Sequence, residues 1–396
     1  MFHPVNPGDL IPLPEGSELF VLPGRLPVGW DDQHDEMVVL NENPSGAKGP
    51  VQAVAAFMAP AYTQTALAAF YRPDGDLPPL PLFAYTAVGW WKGKFWVAGF
   101  RSDQDPRQDI KNFDPNKIKK RTIARLKKDQ GNRLIRHLGR CSLTYGCPAA
   151  KNLFLGRWEA PLPTSPECNA RCLGCLSKQP PGGPPATQER IKFVPSPREV
   201  ADVAVPHLER APKGIVSFGQ GCEGEPLLQA GLLKDSIRLI RKNTHKGTIN
   251  LNTNASLPGA IAELRDCGLQ SIRISMNSIR PQYYSSYYRP KGYVLEDVLE
   301  SWKLMKKMGG FVSLNWFIMP GFSDEMEELE RLAEAIDSFG LDFIQLRNHN
   351  IDPDWYLDKI CYEQGKVRLG VTGAVNYLKG RFPRLRFGYF NPPLTD

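Results

Sequence analysis

Cys168, Cys172 and Cys175 fall within "PECNARCLGCLS" at the spacing C-x3-C-x2-C, three of eight cysteines in 396 residues. Thiolates are metal ligands, but three is an odd number of them. A structural zinc site takes four ligands, usually as two short pairs, and no fourth stands close by in sequence. Bacterial ferredoxin runs space their first three cysteines by two residues each and follow the fourth with proline, a pattern absent here. Three thiolates on one [4Fe-4S] cluster leave an iron without a protein ligand, and an open iron is where a small molecule chelates.

Such a loop must be held by a scaffold. After residue 190 the chain alternates strand candidates "GIVSF" (214–218), "TINLN" (248–252), "QSIRIS" (270–275), "FVSLNWFI" (311–318) and "DFIQLR" (342–347) with helical stretches. One helix opens at "SPRE", with Ser196 as cap, Pro197 as first helical residue and Glu199 as the reciprocal partner of a capping box. Another opens at "SDEMEEL", with Ser323 as cap and Gly340 near its end. A β/α repeat means a parallel sheet or barrel that binds ligands at the carboxyl ends of its strands.

C-x3-C-x2-C ahead of a β/α repeat resembles the radical S-adenosylmethionine (radical SAM) superfamily. The resemblance implies a partial (β/α)6 barrel whose open cluster iron binds the amino and carboxylate groups of S-adenosylmethionine, with Cys168, Cys172 and Cys175 as ligands. The first strand would fall near "LFLGRWEAP". The glycine-rich turn "FGQGCEGEPLL" is similar to the family's Glu-Pro turn, which implies cofactor contacts for Gly221, Glu223, Gly224 and Glu225. "NLNTNAS" resembles the Thr-Asn-Gly turn with Ala255 in place of glycine, and adds Asn252, Thr253 and Asn254. Later strand ends imply Ser275, Asn277, Arg289 as carboxylate partner, Met319 near adenine, and Gln345 and Arg347 near cofactor or substrate. The resemblance spans about residues 160 to 350. It implies reductive cleavage of S-adenosylmethionine to a 5′-deoxyadenosyl radical that abstracts a hydrogen atom, with flavodoxin or ferredoxin as a low-potential electron donor.

Five cysteines remain: Cys141, Cys147, Cys222, Cys267 and Cys361. Buried packing is the common fate of such residues; Cys141 and Cys147 also read as partners of Cys222 or Cys361 at a second metal. Cys222, in the cofactor turn, and Cys361, after the last strand, are candidate hydrogen-atom donors, and Tyr356 in "NIDPDWYL" a candidate radical relay. His349 in "RNHNIDPDW" sits at a strand end, where a catalytic role is one reading. A "GEPLL" turn and a downstream cysteine also occur in the RNA-methylating branch of the superfamily, which keeps an RNA-modifying methyltransferase as an alternative. A non-catalytic iron–sulfur or zinc protein that binds nucleic acid is the reading outside enzymology.

Charge is concentrated. Eleven Lys or Arg against two Asp between Lys111 and Arg140 give that segment +9 and leave the rest of the chain at −2. Asp114 and Pro115 open one helix there and Gly131 interrupts before a second. The basic face reads as solvated surface or as a dock for nucleic acid, phosphate or an acidic leader peptide. Ahead of it lie β-rich runs whose Trp90, Trp91 and Trp96 are expected in core packing. The expected domains are 1–108 (β-rich accessory), 109–160 (basic helical linker), 161–352 (barrel) and 353–396 (helix and strand extension). With no secretory signal and no apolar run of membrane length, the sequence reads as a cytoplasmic protein. A peptide or protein is the first substrate class, RNA the second, a metabolite the third.

Overall fold

Short apolar runs punctuated by Pro and Gly fold into short strands: β1 (Leu10–Pro12), β2 (Glu18–Leu22), β3 (Leu26–Asp31), β4 (Glu36–Val39), β5 (Ala53–Phe57), β6 (Tyr62–Gln64), β7 (Phe70–Tyr71), β8 (Val88–Trp91) and β9 (Lys94–Arg101). The structure is a computed structural model and describes residues 4–394 apart from 32, 44, 45, 47, 50, 74–76 and 364–366. Two small apolar cores hold this N-terminal region, one around Leu22 and Tyr85, the other around Met58 and Val97. Trp90 and Trp91 are not in either. They lie 63% and 52% exposed on the β8–β9 hairpin, because its tight turn at Lys92 and Gly93 carries both rings beyond the sheet's buried face.

Three helices follow: α1 (Pro115–Lys128), α2 (Arg133–Leu143) and α3 (Pro148–Leu155). The Asp114 carboxylate caps α1 by accepting from the Asn116 and Lys117 N–H groups, as its type and the following proline dictate. The sheet then begins with β10 (Glu159–Pro161), inside the segment expected to hold the first strand. Strands and helices alternate from there as α4 (Pro197–Arg210), β11 (Ile215–Phe218), α5 (Ala230–Asn243), β12 (Thr248–Thr253), α6 (Pro258–Asp266), β13 (Ser271–Met276), α7 (Pro281–Tyr288), α8 (Leu295–Lys307), β14 (Phe311–Ile318), α9 (Met326–Phe339), β15 (Phe343–Asn348), α10 (Pro353–Lys359), α11 (Gly370–Arg381) and β16 (Arg386–Gly388).

β10 to β16 form one seven-stranded sheet in sequence order, every pairing parallel. This is the partial α/β barrel expected, with one strand more than six. The added strand is β16, so the C-terminal segment is part of the barrel sheet rather than an appendage. Asn391, just beyond it, spans the interior: its amide accepts from Gln345 of β15 at 2.7 Å and donates to Glu159 of β10 at 2.7 Å and Asn252 of β12 at 3.3 Å. First and last strands are thereby tied across the opening. β11 and β12 are buried along their whole length, and one continuous apolar core joins them to the surrounding helices.

The helix starts read at Asp114 and Ser196 obey the local chemistry, and the one read at Ser323 does not. Ser196 and Glu199 form the capping box of α4, and Glu199 also accepts from Arg133 Nε at 2.9 Å and Nη2 at 2.7 Å, which fastens α2 to α4. Arg133 holds the Glu199 carboxyl well down, at about 2. A carboxylate with a depressed folded pKa contributes stability above its ordinary pKa, and that contribution is lost as pH falls through the folded value. Glu199→Gln is therefore expected to cost about 1–2 kcal/mol at pH 7, with the gap to wild type narrowing below pH 4.5 and closing toward about 2. Urea titrations across that range check it. The exception is Ser323, whose hydroxyl turns back to the Met319 N–H and carbonyl, so that α9 starts three residues later with Glu325 at its cap.

Candidate active site at the carboxyl ends of the strands

The cysteine loop follows β10 and lies on the ends of the next strands, held by backbone bonds that do not depend on side-chain identity. Gly224 N–H donates to Ser165 O at 2.7 Å and Glu225 N–H to Glu167 O at 2.8 Å. Arg171 and Leu173 N–H groups reach the carbonyls of Tyr288 and Tyr287 at the end of α7, and Lys291 N–H reaches Asn169 O. The Asn169 side chain donates to Ser256 and accepts from Asn254, both beyond β12. The turn after β11 must pass this loop closely. A Cβ on Gly224 would stand 1.8 Å from Glu167 O, and one on Gly219, whose φ is +77°, would stand 1.6 Å from Asn252 O.

Within the loop the three thiols are largely removed from water. Burial pushes Cys168 up to about 11, with Glu225 and then Cys175 adding to it, and raises Cys172 well above the ordinary thiol range, with Cys168 and Cys175 adding. Arg190 offsets only part of that cost: it donates to Cys175 Sγ at 3.3 Å and its charge favours the Cys168 and Cys172 thiolates. Among the described residues, the three sulfurs do not form a set lying within 4.8 Å of one another. Ligands of a single tetrahedral zinc would do so, since Zn–S bonds of about 2.3 Å place sulfurs roughly 3.8 Å apart. Wider-set, desolvated thiols that need positive charge to ionise fit a polynuclear iron cluster. If Cys175 ligates the cluster, Arg190→Leu removes the N–H donor from its sulfur and is expected to lower the cluster midpoint potential, on the order of tens of millivolts. A redox titration followed by electron paramagnetic resonance reads this, and an unchanged potential would show that the contact has no electronic effect.

The wall around the loop is aromatic. Tyr284, Tyr287 and Tyr288 of α7 and Tyr293 are buried, and Tyr284, Tyr288 and Tyr293 have hydroxyls without a hydrogen-bond partner. The Tyr287 hydroxyl sits against the loop at Gly174. His349, just past β15, stacks on Phe317 with centroids 5.1 Å apart and meets Tyr356 edge-on at 4.5 Å. Both its ring nitrogens are buried without partners, and burial lowers its pKa to about 3, so it is a neutral imidazole. Tyr356 is fully buried and its hydroxyl accepts from Asn277 Nδ2 at 3.2 Å. These aromatics exclude water from the end of the barrel where a radical would have to be sheltered. The run "PQYYSSYYRP" carried the signal for the tyrosines; nothing local in sequence marked Arg190 or Asn169.

The other sequence-derived positions divide. Glu223 accepts from the N–H groups of Thr164, Ser165, Gly219 and Gln220, at 2.6 to 3.0 Å, and from the Thr164 hydroxyl. Glu225 accepts from Leu227 N–H, Asn254 N–H and the Thr253 hydroxyl. Burial raises these carboxyls to about 6 and about 7, against the N–H groups that favour their charged forms. Both therefore brace the strand ends with oxygens already in use. Gln345 bonds Arg273 and Asn391, Arg347 bonds Tyr389 O, and Asn252 bonds Gly219 O. Gly221, Thr253, Asn254, Ser275, Asn277 and Met319 lie on the turns or strand ends facing the loop, Met319 buried directly after β14. Arg289 caps α7 in the left-handed conformation and is exposed. Cys361 is exposed beyond α10. Cys222 is buried with His137 and Cys141 rather than among the tyrosines. Ala255, standing where the resembling turn has glycine, takes φ +56°, the conformation glycine favours, held by the Thr253 hydroxyl.

A parallel partial barrel with an open-ended cysteine loop at the carboxyl ends of its strands defines a cluster-binding enzyme of the barrel class. Residues 162–334 match the family model of the Radical SAM superfamily. Its cofactors are a [4Fe-4S] cluster and S-adenosylmethionine, and it requires a reductant. Among curated proteins it is similar to GTP 3′,8-cyclase of Alkaliphilus metalliredigens (28% identity, 57% of this chain, 70% of that one) and of Aquifex aeolicus (27% identity, 49% of this chain, 58% of that one). Against a third, from Agrobacterium fabrum, it spans 46% of the relative's length. Solved structures similar to it include native anSMEcpe with bound AdoMet (17% identity, 48% of this chain and 52% of that one, TM-score 0.38). Methylornithine synthase, PylB, is another (13% identity, 68% and 78%, TM-score 0.41). Among the described residues no helix is long and apolar enough to cross a membrane.

Proposed function

We propose that this enzyme abstracts a hydrogen atom from a residue of a peptide or protein bound at the carboxyl mouth of the barrel. The observation that supports the reading is the seating of the β-rich region on that mouth. Gln64 of β6 donates through its side chain to Ile318 O at the end of β14, and its N–H to Asn348 Oδ1 at the end of β15. Arg25 and Asp352 form a buried ion pair, 3.2 Å, between that region and the loop after β15. An accessory domain as one wall of the mouth suits a substrate larger than a metabolite. Exposed Lys117, Lys119, Lys120, Lys127, Lys128 and Arg136 on α1 and α2 supply a basic face for an acidic leader segment.

In this reading the cluster is held by Cys168, Cys172 and Cys175 and, when bound, supplies the electron that cleaves S-adenosylmethionine. The protein's own part is positional. Asn254, Ser275 and Asn277 contact the cofactor, Met319 flanks its adenine, Glu223 and Glu225 fix the turns that carry these groups, and the tyrosine wall keeps water out. Tyr356 and neutral His349 stand where a substrate radical would be quenched or relayed. The enzyme is cytoplasmic and draws electrons from flavodoxin or ferredoxin. A second reading, in which the substrate is a nucleotide or RNA, is favoured by the names of the curated relatives and by the same basic face.

Protein and RNA fractions from the source organism grown in heavy water discriminate the two. Deuterium appearing in 5′-deoxyadenosine with the protein fraction supports the first reading; transfer only from RNA, or from deuterated GTP, overturns it in favour of the second.

A further inference from the structure

Away from the cluster loop, two segments about 80 residues apart in sequence bring nitrogen and sulfur ligands to one point. His137 and Cys141 are four residues apart on α2 and so share a face, with Nε2 and Sγ 3.6 Å apart. Cys222 comes from the turn after β11, and its sulfur, Cys141 Sγ and a ring nitrogen of His137 all lie within 4.8 Å of one another. Among the described residues this is the one such set of His, Cys, Asp or Glu ligands. Cys141 and Cys222 are buried, in a small cluster with Ala150 that Cys147 and Tyr145 complete. Cys147 opens α3, and its N–H donates to Cys141 O at 3.0 Å.

We propose that His137, Cys141 and Cys222 bind a single zinc ion, and that Cys147, packed beside them but outside the 4.8 Å set, moves in to complete a tetrahedral set when the ion binds. The spacing decides the kind of metal. Ligands on one tetrahedral zinc stand roughly 3.3–3.8 Å apart, given Zn–N of about 2.0 Å and Zn–S of about 2.3 Å, which the observed 3.6 Å contact already meets. The cluster cysteines lack that compactness. Three cysteines and one histidine are also a common structural zinc set with no open position.

The ion has a structural purpose in the fold. Cys222 stands between Gly221 and Glu223, inside the turn that lies under the cluster loop. Zinc at this point ties that turn to helices α2 and α3, which otherwise pack on the barrel chiefly through α4 and β10.

Metal content measured by inductively coupled plasma mass spectrometry tests the proposal in the full chain. The protein is expressed with zinc in the medium, purified aerobically, and compared with a Cys168→Ala, Cys172→Ala, Cys175→Ala variant that has lost the cluster ligands. Zinc near one per chain is expected in both. Cys141→Ser and Cys222→Ser made together in the variant background are expected to bring it at least about ten-fold lower, while His137→Cys, which keeps a ligand, retains it. Cys147→Ala is expected to lose zinc faster to a chelator. Cobalt substitution is expected to give thiolate-to-metal charge-transfer absorption and tetrahedral ligand-field bands. Absence of zinc in both folded parent proteins overturns the site, even if the serine variant fails to fold. So does zinc that survives the paired serine substitutions, or iron with sulfide in place of zinc in the cluster-free variant.

Discussion

Anaerobically reconstituted Cys172→Ala is expected to form 5′-deoxyadenosine from S-adenosylmethionine and dithionite at least about 1000-fold more slowly than wild type, a loss of more than about 4 kcal/mol. Cys172 is the middle one of the three proposed ligands, with its thiol raised well above its ordinary value by burial and by its two neighbours. Removing one of three ligands from a cluster already short of a fourth leaves two irons without protein thiolates, so the cluster is lost rather than weakened. Cys267→Ala, which changes a cysteine on the outer side of the fold after α6, is expected to keep the wild-type rate and to show that the loss is not a general thiol effect. Deoxyadenosine yield per chain and iron content are read together. A variant that retained iron and rate would remove Cys172 from the ligand set.

The second large effect is on stability. Arg280, 3% exposed at the start of α7, donates to Glu328 at 2.8 Å and pairs with Glu325 at 2.9 Å, and both carboxylates are buried as deeply. Glu328 also accepts from the Ser278 hydroxyl and Ile279 N–H. Arg280→Ala leaves two buried carboxylates facing each other without their cation, and is expected to cost about 3–5 kcal/mol in denaturant titration. Arg280→Lys keeps the charge but not the fork that reaches both acids, and is expected to recover only part. If Arg280→Ala unfolds at the wild-type midpoint, the network is solvated and contributes little.

These two sites differ in how openly the sequence displayed them. The cysteine loop was visible because ligand chemistry constrains both residue type and spacing over eight positions. The strands from β11 to β15 were legible within a residue or two, since buried parallel strands read as short apolar runs. Arg280 gave no such sign. Its partners lie 45 and 48 positions away and only the fold makes them neighbours. A C-terminal strand was expected, but nothing in sequence placed it beside β15 in the barrel sheet, and the position of Cys222 in the turn pointed toward the cofactor while its side chain packs against α2. Glu223 and Glu225 were found for the right motif, but their type also suits the demand of several backbone N–H groups, and only the hydrogen bonds distinguish bracing from contact.

The Asn391 bridge sets an order of events during synthesis. The cysteine loop and the backbone groups that hold it lie between Ser165 and Lys291, whereas the contact between Asn391 and Glu159 closes a span of 232 residues. Translation at about 5–20 residues per second separates the emergence of Lys291 from that of Asn391 by on the order of 5–20 s. For that interval the nascent chain presents its thiols on the ends of β10 to β13, while the side that Asn391 later closes stands unlatched.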